Sequence, residues 1–199
     1  EDADDNSVTV SAQYKIFSGS WQDLSTNITG DTGTVTTSPT ANDTIIWDIK
    51  TAFGSNVDTS CFVRIIADDG TDKDTTLSES FSIDTRLPQG LGSFTNTDST
   101  YNSVNLSWTS ATETNFHEYK IWYGTTLADV VNRTGDAVEW NSANDANLSN
   151  SVTSSTVVTG LNTTTKYYFK IWAVDDYNYE ITTAEDSCTT QDGVLPWSD

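Results

Sequence analysis

Apolar and polar residues alternate with a period of two through most of the chain, which predicts short β-strands. Clusters of Gly, Asn, Asp, Ser and Thr separate the alternating segments, as turns require. Helical spacing is confined to residues 127–133, enough for about two turns. The pattern therefore predicts an all-β protein of sandwich or barrel type. The predicted strands are residues 8–14, 44–47, 61–67, 77–83, 104–108, 119–123, 156–158 and 167–174.

The pattern also repeats once along the chain. Residues 63–69 match residues 169–176, with an apolar residue at every second position followed by paired acids. Residues 44–47 precede the first of these segments as residues 156–159 precede the second. Two copies of one sandwich explain the repeat, with residues 84–90 as a short linker whose proline ends a strand. The predicted units are residues 1–86 and 87–192, followed by a C-terminal tail over residues 193–199.

Three features of the second copy occur together: Trp108 in an early strand, aromatic residues in strand 119–123, and Leu161 followed six residues later by Tyr167. With these features the copy resembles a fibronectin type III domain over roughly residues 88–192. The resemblance implies that Trp108 lies in the core and that the Tyr167 ring is buried, with its hydroxyl bonded to nearby backbone. Residues 125–155 form an insertion, about ten residues longer than the family needs, which is expected to fold as a flap over one sheet.

The first copy is similar to the fibronectin-like repeats of microbial surface proteins, but too few residues precede its first predicted strand. Two interpretations remain open. Either residues 8–14 are the third strand and the first two are missing, or they are the second strand, residues 21–28 are the third, and only an edge strand is lacking. Both leave an unpaired sheet edge. The sequence therefore predicts two tandem fibronectin type III or immunoglobulin-like sandwiches, the first completed by strands from a neighbouring subunit or second polypeptide.

The net charge of the chain limits the kinds of partner that it can bind. The chain has 29 acidic and 9 basic residues, a net charge of -20, and an isoelectric point near 4.1. The excess is even, with 15 acids and 5 bases up to residue 86 and 14 and 4 after it. Such a surface repels nucleic acid, and no apolar run is long enough for a membrane span. Because the sequence starts at Glu1 with no initiator Met or signal peptide, we expect an exported, processed protein at the cell surface.

Acidic loops are the candidate metal sites. The loops before the third strand and after the sixth strand share one end of this sandwich, so their carboxylates would converge. Carboxylate oxygens from two loops suit Ca²⁺, which takes six to eight oxygen ligands. No cofactor is required by the sequence, and calcium is the ion that this donor chemistry would take. The candidate ligands are Asp2, Asp4, Asp5, Asp68, Asp69, Asp72 and Asp74.

Aromatic residues on outward positions form a candidate binding surface. If the core positions of strands 119–123 and 167–174 point inward, then Trp122, Tyr168 and Trp172 point outward on paired strands. Such a stripe could stack on sugars, bind a protein, or be covered by the flap that carries Trp140. Asn-x-Ser/Thr sequons also occur, and the best candidates for glycosylation are Asn27, Asn132 and Asn147.

Signatures of catalysis are sparse. His117 is the only histidine, and no phosphate-binding loop, nucleophile elbow or histidine cluster occurs. Cys61 and Cys188 lie one in each copy, so neither domain can form an internal bridge, and both are expected to be small buried residues. A disulfide to a partner chain is the alternative, and a bridge between the two is disfavoured because tandem sandwiches would hold them apart. We therefore expect a non-catalytic structural subunit of an extracellular filament, pilus-like appendage or surface layer. The alternative is an adhesion module that binds carbohydrate or protein.

Overall fold

The computed structural model describes residues 7–36, 43–54 and 57–193. The chain divides into two compact units between residues 86 and 87. Antiparallel β-sheet makes up nearly all of the regular structure of the described residues in both units. The predicted fold class, all-β with fibronectin-like sandwiches, is confirmed.

The first unit is built on the long strand β6. The sequence predicts a single strand over residues 77–83, but the structure has two strands after β6, and both pair with β6. The first of the two pairs with the C-terminal half of β6, and the second pairs with its N-terminal half. The break falls at Ser78, whose backbone and hydroxyl both bond to Val63. The elements are β1 Ser7–Ile16, β2 Gln22–Asp23, β3 Ile28–Gly30, β4 Gly33–Thr36, β5 Ile45–Trp47, α1 Ile49–Phe53, β6 Asp58–Asp68, β7 Lys73–Leu77 and β8 Phe81–Asp84.

In the first unit, β1 and β6 form the centre of the main sheet. Strands β7 and β8 lie along the other edge of β6, and β2 and β4 pair with β1. Opposite this sheet the described residues place only a small two-stranded sheet, β3 with β5. The first unit therefore has one broad layer and one narrow layer.

The second unit has two broad layers. One sheet contains β9, β10 and β13, and the other contains β12, β11 and β14, with β15 and β16 both on the far edge of β14. Helix α2 confirms the helical spacing seen in the sequence. The elements are β9 Gly92–Ser99, β10 Ser103–Thr109, β11 Phe116–Gly124, α2 Leu127–Asn132, β12 Val138–Trp140, the 3₁₀ helix Ala146–Ser149, β13 Ser155–Thr159, β14 Lys166–Asp175, β15 Glu180–Thr182 and β16 Asp186–Thr189.

The core of the second unit lies between these two sheets. It includes Trp108 and Tyr167, both buried as the family resemblance implies. The backbone N–H of Asn162 donates a hydrogen bond to Tyr167 Oη at 3.1 Å, which confirms the predicted role of this tyrosine. Cys188 packs against the same core, and Cys61 is buried in the first unit. The two cysteines form no disulfide within the described residues, and a disulfide to a partner chain stays a prediction.

The β1–β6 pair corresponds to the β11–β14 pair. Val10 lies opposite Ala67 just as Tyr119 lies opposite Ala173. Strand β1 is therefore the third strand of its sandwich. The interpretation that makes residues 21–28 the third strand is wrong, because that segment holds only the two-residue strand β2 and the start of β3. Among its described residues the first unit has no counterpart of β9 and β10.

The repeat extends to β5 and β13, but in a different register from the one the sequence suggests. Residues 44–47 align with 156–159 by sequence, which pairs Ile46 with Val158. Ile46 is 61% exposed, whereas Val158 is fully buried. Trp47, one residue later, is the one that faces the main sheet, where its ring lies 5.1 Å from Tyr14. The inward position of Val158 is therefore taken by Trp47.

Candidate functional site

The inward face of the β1–β6 pair is the candidate functional site of the first unit. Because strand residues alternate between faces, Val10 and Tyr14 of β1 share this face with Val63, Ile65 and Ala67 of β6. All five are only half-buried. A floor of apolar side chains is thus left partly open in a unit that has to bury it to be stable.

The second unit shows how the same positions look when they are covered. Tyr119, Phe169, Ile171 and Ala173 correspond to Val10, Val63, Ile65 and Ala67, and each is 0% exposed. Strand β10 covers them with inward side chains that are themselves buried, including Leu106 and Trp108. The Trp108 ring centre lies 5.2 Å from that of Tyr119. The first unit differs because its described residues supply no strand in the place of β10.

One end of the first unit's floor is closed. Tyr14, Trp47 and Phe53 form a three-ring cluster with centre-to-centre distances of 5.1 to 5.6 Å. This cluster joins β1, β5 and α1. Strand β3 reaches β5 from the side of β4, since only two residues separate β3 from β4 and β4 pairs with β1. Within the described residues the other edge of β5, which corresponds to the β10 side of β13, has no partner strand.

A free strand edge beside an open apolar floor is the geometry that accepts an added strand. Main-chain hydrogen bonds along the edge provide affinity, and alternate side chains fill the floor. We call this feature the strand acceptor: the edge of β5 together with the inward face of β1 and β6.

The outer face of the β11–β14 pair carries the basic residues of the second unit. Lys120 lies across from Trp172, and Trp122 lies across from Lys170, so cations and rings alternate. The Lys170 ammonium lies 5.8 Å from the Trp172 ring centre, and that of Lys166 lies 4.7 Å from the Tyr168 ring centre. Carboxylates complete the face: Lys120 pairs with Glu118 and Glu139, and Lys170 with Glu185.

Arg133 closes this face over Trp172. It ends helix α2 in the left-handed conformation, with φ of 56°, and its guanidinium lies 5.0 Å from the Trp172 ring centre. Trp172 is only 5% exposed as a result. The predicted aromatic stripe of Trp122, Tyr168 and Trp172 is therefore covered at Trp172. The sequence gives no sign of this contact, because Arg133 and Trp172 lie 39 positions apart.

Trp140 occupies a different place from the one expected. In β12 it lies opposite Ile121, a core residue, and it packs against the core itself. Its Nε1 donates to Thr156 Oγ1 at 3.4 Å. Trp140 thus faces inward, and the cover over the outer face comes from Arg133. The register of β12 on β11 causes this, since partners across a strand pair point to the same side.

Buried polar groups anchor the rest of the insertion. Glu118 accepts hydrogen bonds from the backbone N–H and the hydroxyl of Ser142, at 3.1 and 2.6 Å. Burial raises the pKa of Glu118, but these bonds and the nearby charge of Lys120 outweigh it and hold the pKa below its ordinary value. The Tyr119 hydroxyl donates to Ser151 O at 2.6 Å and accepts from Ala111 N at 2.7 Å. The insertion is therefore a fixed part of the second unit.

The outer face of the first unit shows the same combination of cations and rings. The guanidinium of Arg64 lies 4.4 Å from the Trp21 ring centre, and the Lys15 ammonium lies 5.2 Å from it. Lys15 also lies 5.1 Å from the centre of Phe62. Arg64 donates to Gln13 across the strand pair. In both units, then, the outer side of the central strand pair is packed by its own side chains.

Three of the four candidate calcium ligands that the structure describes, Asp68, Asp69 and Asp74, already bond through their carboxylates to groups of the first unit. Asp68 pairs with Lys73 at 2.8 Å, and this bond holds the pKa of the Asp68 carboxyl below its ordinary value. One oxygen of Asp69 accepts the backbone N–H groups of Thr71 and Asp72, both at 2.7 Å, and its pKa is lowered chiefly by the bond from Asp72. Asp74 accepts from Thr75.

No cluster of three or more potential metal ligands occurs among the described residues. Asp2, Asp4 and Asp5 lie outside those residues. Calcium binding stays a prediction, which calorimetric titration can test. A heat signal lost on Asp69→Asn substitution would support it, and a flat titration would contradict it.

The predicted glycosylation sites differ in exposure. Asn132 and Asn147 are exposed, although their side-chain amides donate to Ala128 O at 2.8 Å and Asp145 Oδ1 at 2.9 Å. Asn27 is half-buried and has a positive φ of 58°. Modification at Asn132 or Asn147 would have to release the amide from its partner. All three sites stay predictions.

His117 is exposed on β11, where its Nδ1 lies 3.1 Å from Asp176 Oδ1. Within residues 7–36, 43–54 and 57–193, neither this histidine nor the paired acids bring together a nucleophile and a base. Among the described residues no helix is long and apolar enough to cross a membrane.

Comparison with known proteins places the second unit in a family. Residues 88–186 match the family model of the fibronectin type III domain. A search of curated protein sequences finds no match to the chain.

Similar solved structures extend over both units. The crystal structure of the FN1–FN3 domains of chicken CNTN1 is 17% identical, with a TM-score of 0.50, and the match covers 94% of this chain and 56% of that one. A crystal structure of titin domains is 11% identical, with a TM-score of 0.52, and the match covers 93% of this chain and 59% of that one. This chain spans less than two thirds of either structure, and the likeness concerns the fold alone. Residues 88–186 are therefore a fibronectin type III domain.

Proposed function

We propose that the chain is a non-catalytic structural subunit of an extracellular assembly, such as a filament, a pilus-like appendage or a surface layer. In this proposal the first unit is completed by strands from a neighbouring subunit or second polypeptide. One observation carries it: four inward positions that are fully buried in the second unit are half-buried in the first. A partner that fills the strand acceptor would bury them and satisfy the edge of β5.

Other features agree with this role. Fibronectin type III domains are generally non-catalytic and typically occur in extracellular or secreted proteins. The high negative charge keeps the chain soluble and resists unspecific association, so a contact between subunits has to be specific. A strand inserted between two layers meets this need because it combines backbone pairing with side-chain packing.

The alternative, a carbohydrate-binding module, has less support. Sugar stacking needs an aromatic face open to solvent, whereas Trp172 is covered by Arg133 and Trp140 faces the core. Trp122 and Tyr168 keep partial exposure. Their neighbouring cations and carboxylates already bond to one another.

The state of the first unit in the purified chain tests the proposal. We expect the chain alone to bind a dye for exposed apolar surface, and its β1 and β6 amides to exchange hydrogen much faster than the matching amides of β11 and β14. Material isolated with its natural neighbours should lose the dye signal and show slow exchange in both strand pairs. A chain that by itself is monomeric, binds no dye and protects β1 and β6 as well as β11 and β14 would contradict the proposal.

A further inference from the structure

The inward face of the strand acceptor carries smaller side chains than the matching face of the second unit. Val10 stands where the second unit has Tyr119, and Val63 stands where it has Phe169. Each exchange puts an isopropyl group in the place of an aromatic ring. The layer that covers the first unit therefore has more space to fill than β10 has in the second unit.

Strand neighbours do not make up for this loss. Val10 pairs with Ala67 as Tyr119 pairs with Ala173, so the neighbour is an alanine in both units. Likewise, the partner of Val63 and the partner of Phe169 are both tyrosines, Tyr14 and Tyr123. The same sheet thus provides no larger side chain beside either valine.

At another position of the same sheet, a neighbouring strand does compensate for a smaller side chain. Cys61 takes the place of Tyr167, and its neighbour on β8 is Phe81 where the second unit has Cys188. A large and a small residue have exchanged places there, and the local volume is kept. Around Val10 and Val63 the missing side-chain volume has to be supplied by the opposite layer, because protein interiors pack at nearly crystalline density.

We propose that the strands which complete the first unit come from a separate polypeptide and carry aromatic side chains at inward positions where β10 has Val104 and Leu106. Their outward residues are neutral or basic, because residues 1–86 contain 15 acids and 5 bases and a partner of opposite charge is favoured. This inference rests on the proposed function and adds the chemistry of the partner to it.

The experiment supplies artificial strands to the full chain. A second copy of residues 92–109, which contain β9 and β10, is joined to Glu1 through a flexible Gly/Ser linker. One version keeps the native residues, and an enlarged version carries Val104→Phe and Leu106→Phe in the added copy. A control version carries Val104→Ser, Leu106→Ser and Trp108→Ser in the added copy. Hydrogen exchange of β1 and β6 is measured in each, with β11 and β14 as the internal reference.

We expect the enlarged version to slow exchange of β1 and β6 at least about tenfold relative to the native-sized version, because it leaves less residual cavity. Exchange of β11 and β14 should not change. If the native-sized strands protect β1 and β6 as well or better, the volume inference is wrong and the proposed function stands. If neither apolar version protects more than the serine control, the proposed function is wrong as well.

The source of the strands is tested with the enlarged pair as a free peptide. In a variant of this peptide, the outward residues Asp98 and Thr95 are replaced by lysine. The lysine variant should bind the unmodified chain more tightly than the original peptide at low salt. Both peptides should slow hydrogen exchange of β1 and β6. Protection only when the strands are fused to the chain would overturn a separate polypeptide as the source.

Discussion

Arg133 and Glu180 form a two-point ion pair, with N–O distances of 2.8 and 2.6 Å, across 47 residues of sequence. The same guanidinium lies 5.0 Å from the ring centre of Trp172. Because Arg133 ends α2 and Glu180 begins β15, the pair ties the insertion to the edge of the sheet. One side chain therefore both fixes the insertion and covers the outer aromatic face.

Glu180→Gln should weaken this link without changing the backbone. We expect the free energy of unfolding of the second unit to fall by about 0.5–1 kcal/mol, as for a partly exposed ion pair with good geometry. Chemical denaturation measures the loss, and Asp136→Asn, at an exposed position, serves as the control. Equal stability of the Glu180 and Asp136 variants would show that the pair contributes nothing.

Tyr119→Phe should cost more, although it removes a single oxygen atom. The substitution leaves the buried N–H of Ala111 and the carbonyl of Ser151 without this partner, a loss of about 1–3 kcal/mol. Tyr101→Phe is the matched control because the Tyr101 ring is 52% exposed. Similar unfolding free energies for both variants would mean that the hydroxyl does not anchor the insertion.

Ile65 and Ile171 offer a matched pair for the open floor. Ile171→Ala should destabilise the second unit by about 2–5 kcal/mol, the usual cost of a deleted core side chain. Ile65→Ala in the chain alone should cost clearly less, because Ile65 is half-buried. Unfolding curves monitored by exchange in each unit give both values. Equal losses at the two positions would indicate that the first unit is already closed.

Acid should destabilise the second unit through Asp186. One oxygen of this carboxylate accepts both the backbone and the side-chain N–H of Asn96 at 2.6 Å, which links β16 to β9. Burial raises the pKa of Asp186, but the bonds from Asn96 and Ser187 outweigh it, so the pKa lies below its ordinary value. A lowered pKa in the folded state favours the charged form, so this stabilisation is present above the unfolded pKa, about 4, and is lost as the pH falls through the folded value.

The pH prediction is tested with Asp186→Asn. The difference in melting temperature of the second unit between the natural chain and this variant should shrink as the pH is lowered from 5 to 2.5. A difference that stays constant over that range would exclude Asp186 as the source of acid sensitivity.

Period-two alternation was enough to predict the fold class and most long strands, because each of them buries one face. Short strands such as β2, β4 and β12 escaped prediction, since two to four residues carry too little periodicity. The repeat located β5 but misplaced it by one residue, because Ile45, Ile46 and Trp47 are all apolar and do not reveal which of them faces inward. The smaller size of Val10 and Val63 became meaningful only with the strand register.

The alternating outer face of β14 has a consequence for how the second unit responds to salt. Lys120, Arg133 and Lys170 are paired with carboxylates there, so Lys166 is the one other base in a part of the sequence that has 14 acids. The acids elsewhere repel one another across water, and this repulsion is screened within about 10 Å at 0.1 M salt. The half-buried pairs on the sheet are screened much less. Rising ionic strength thus removes repulsion and leaves the attractive contacts largely in place, so we expect the second unit to become more stable as salt is added.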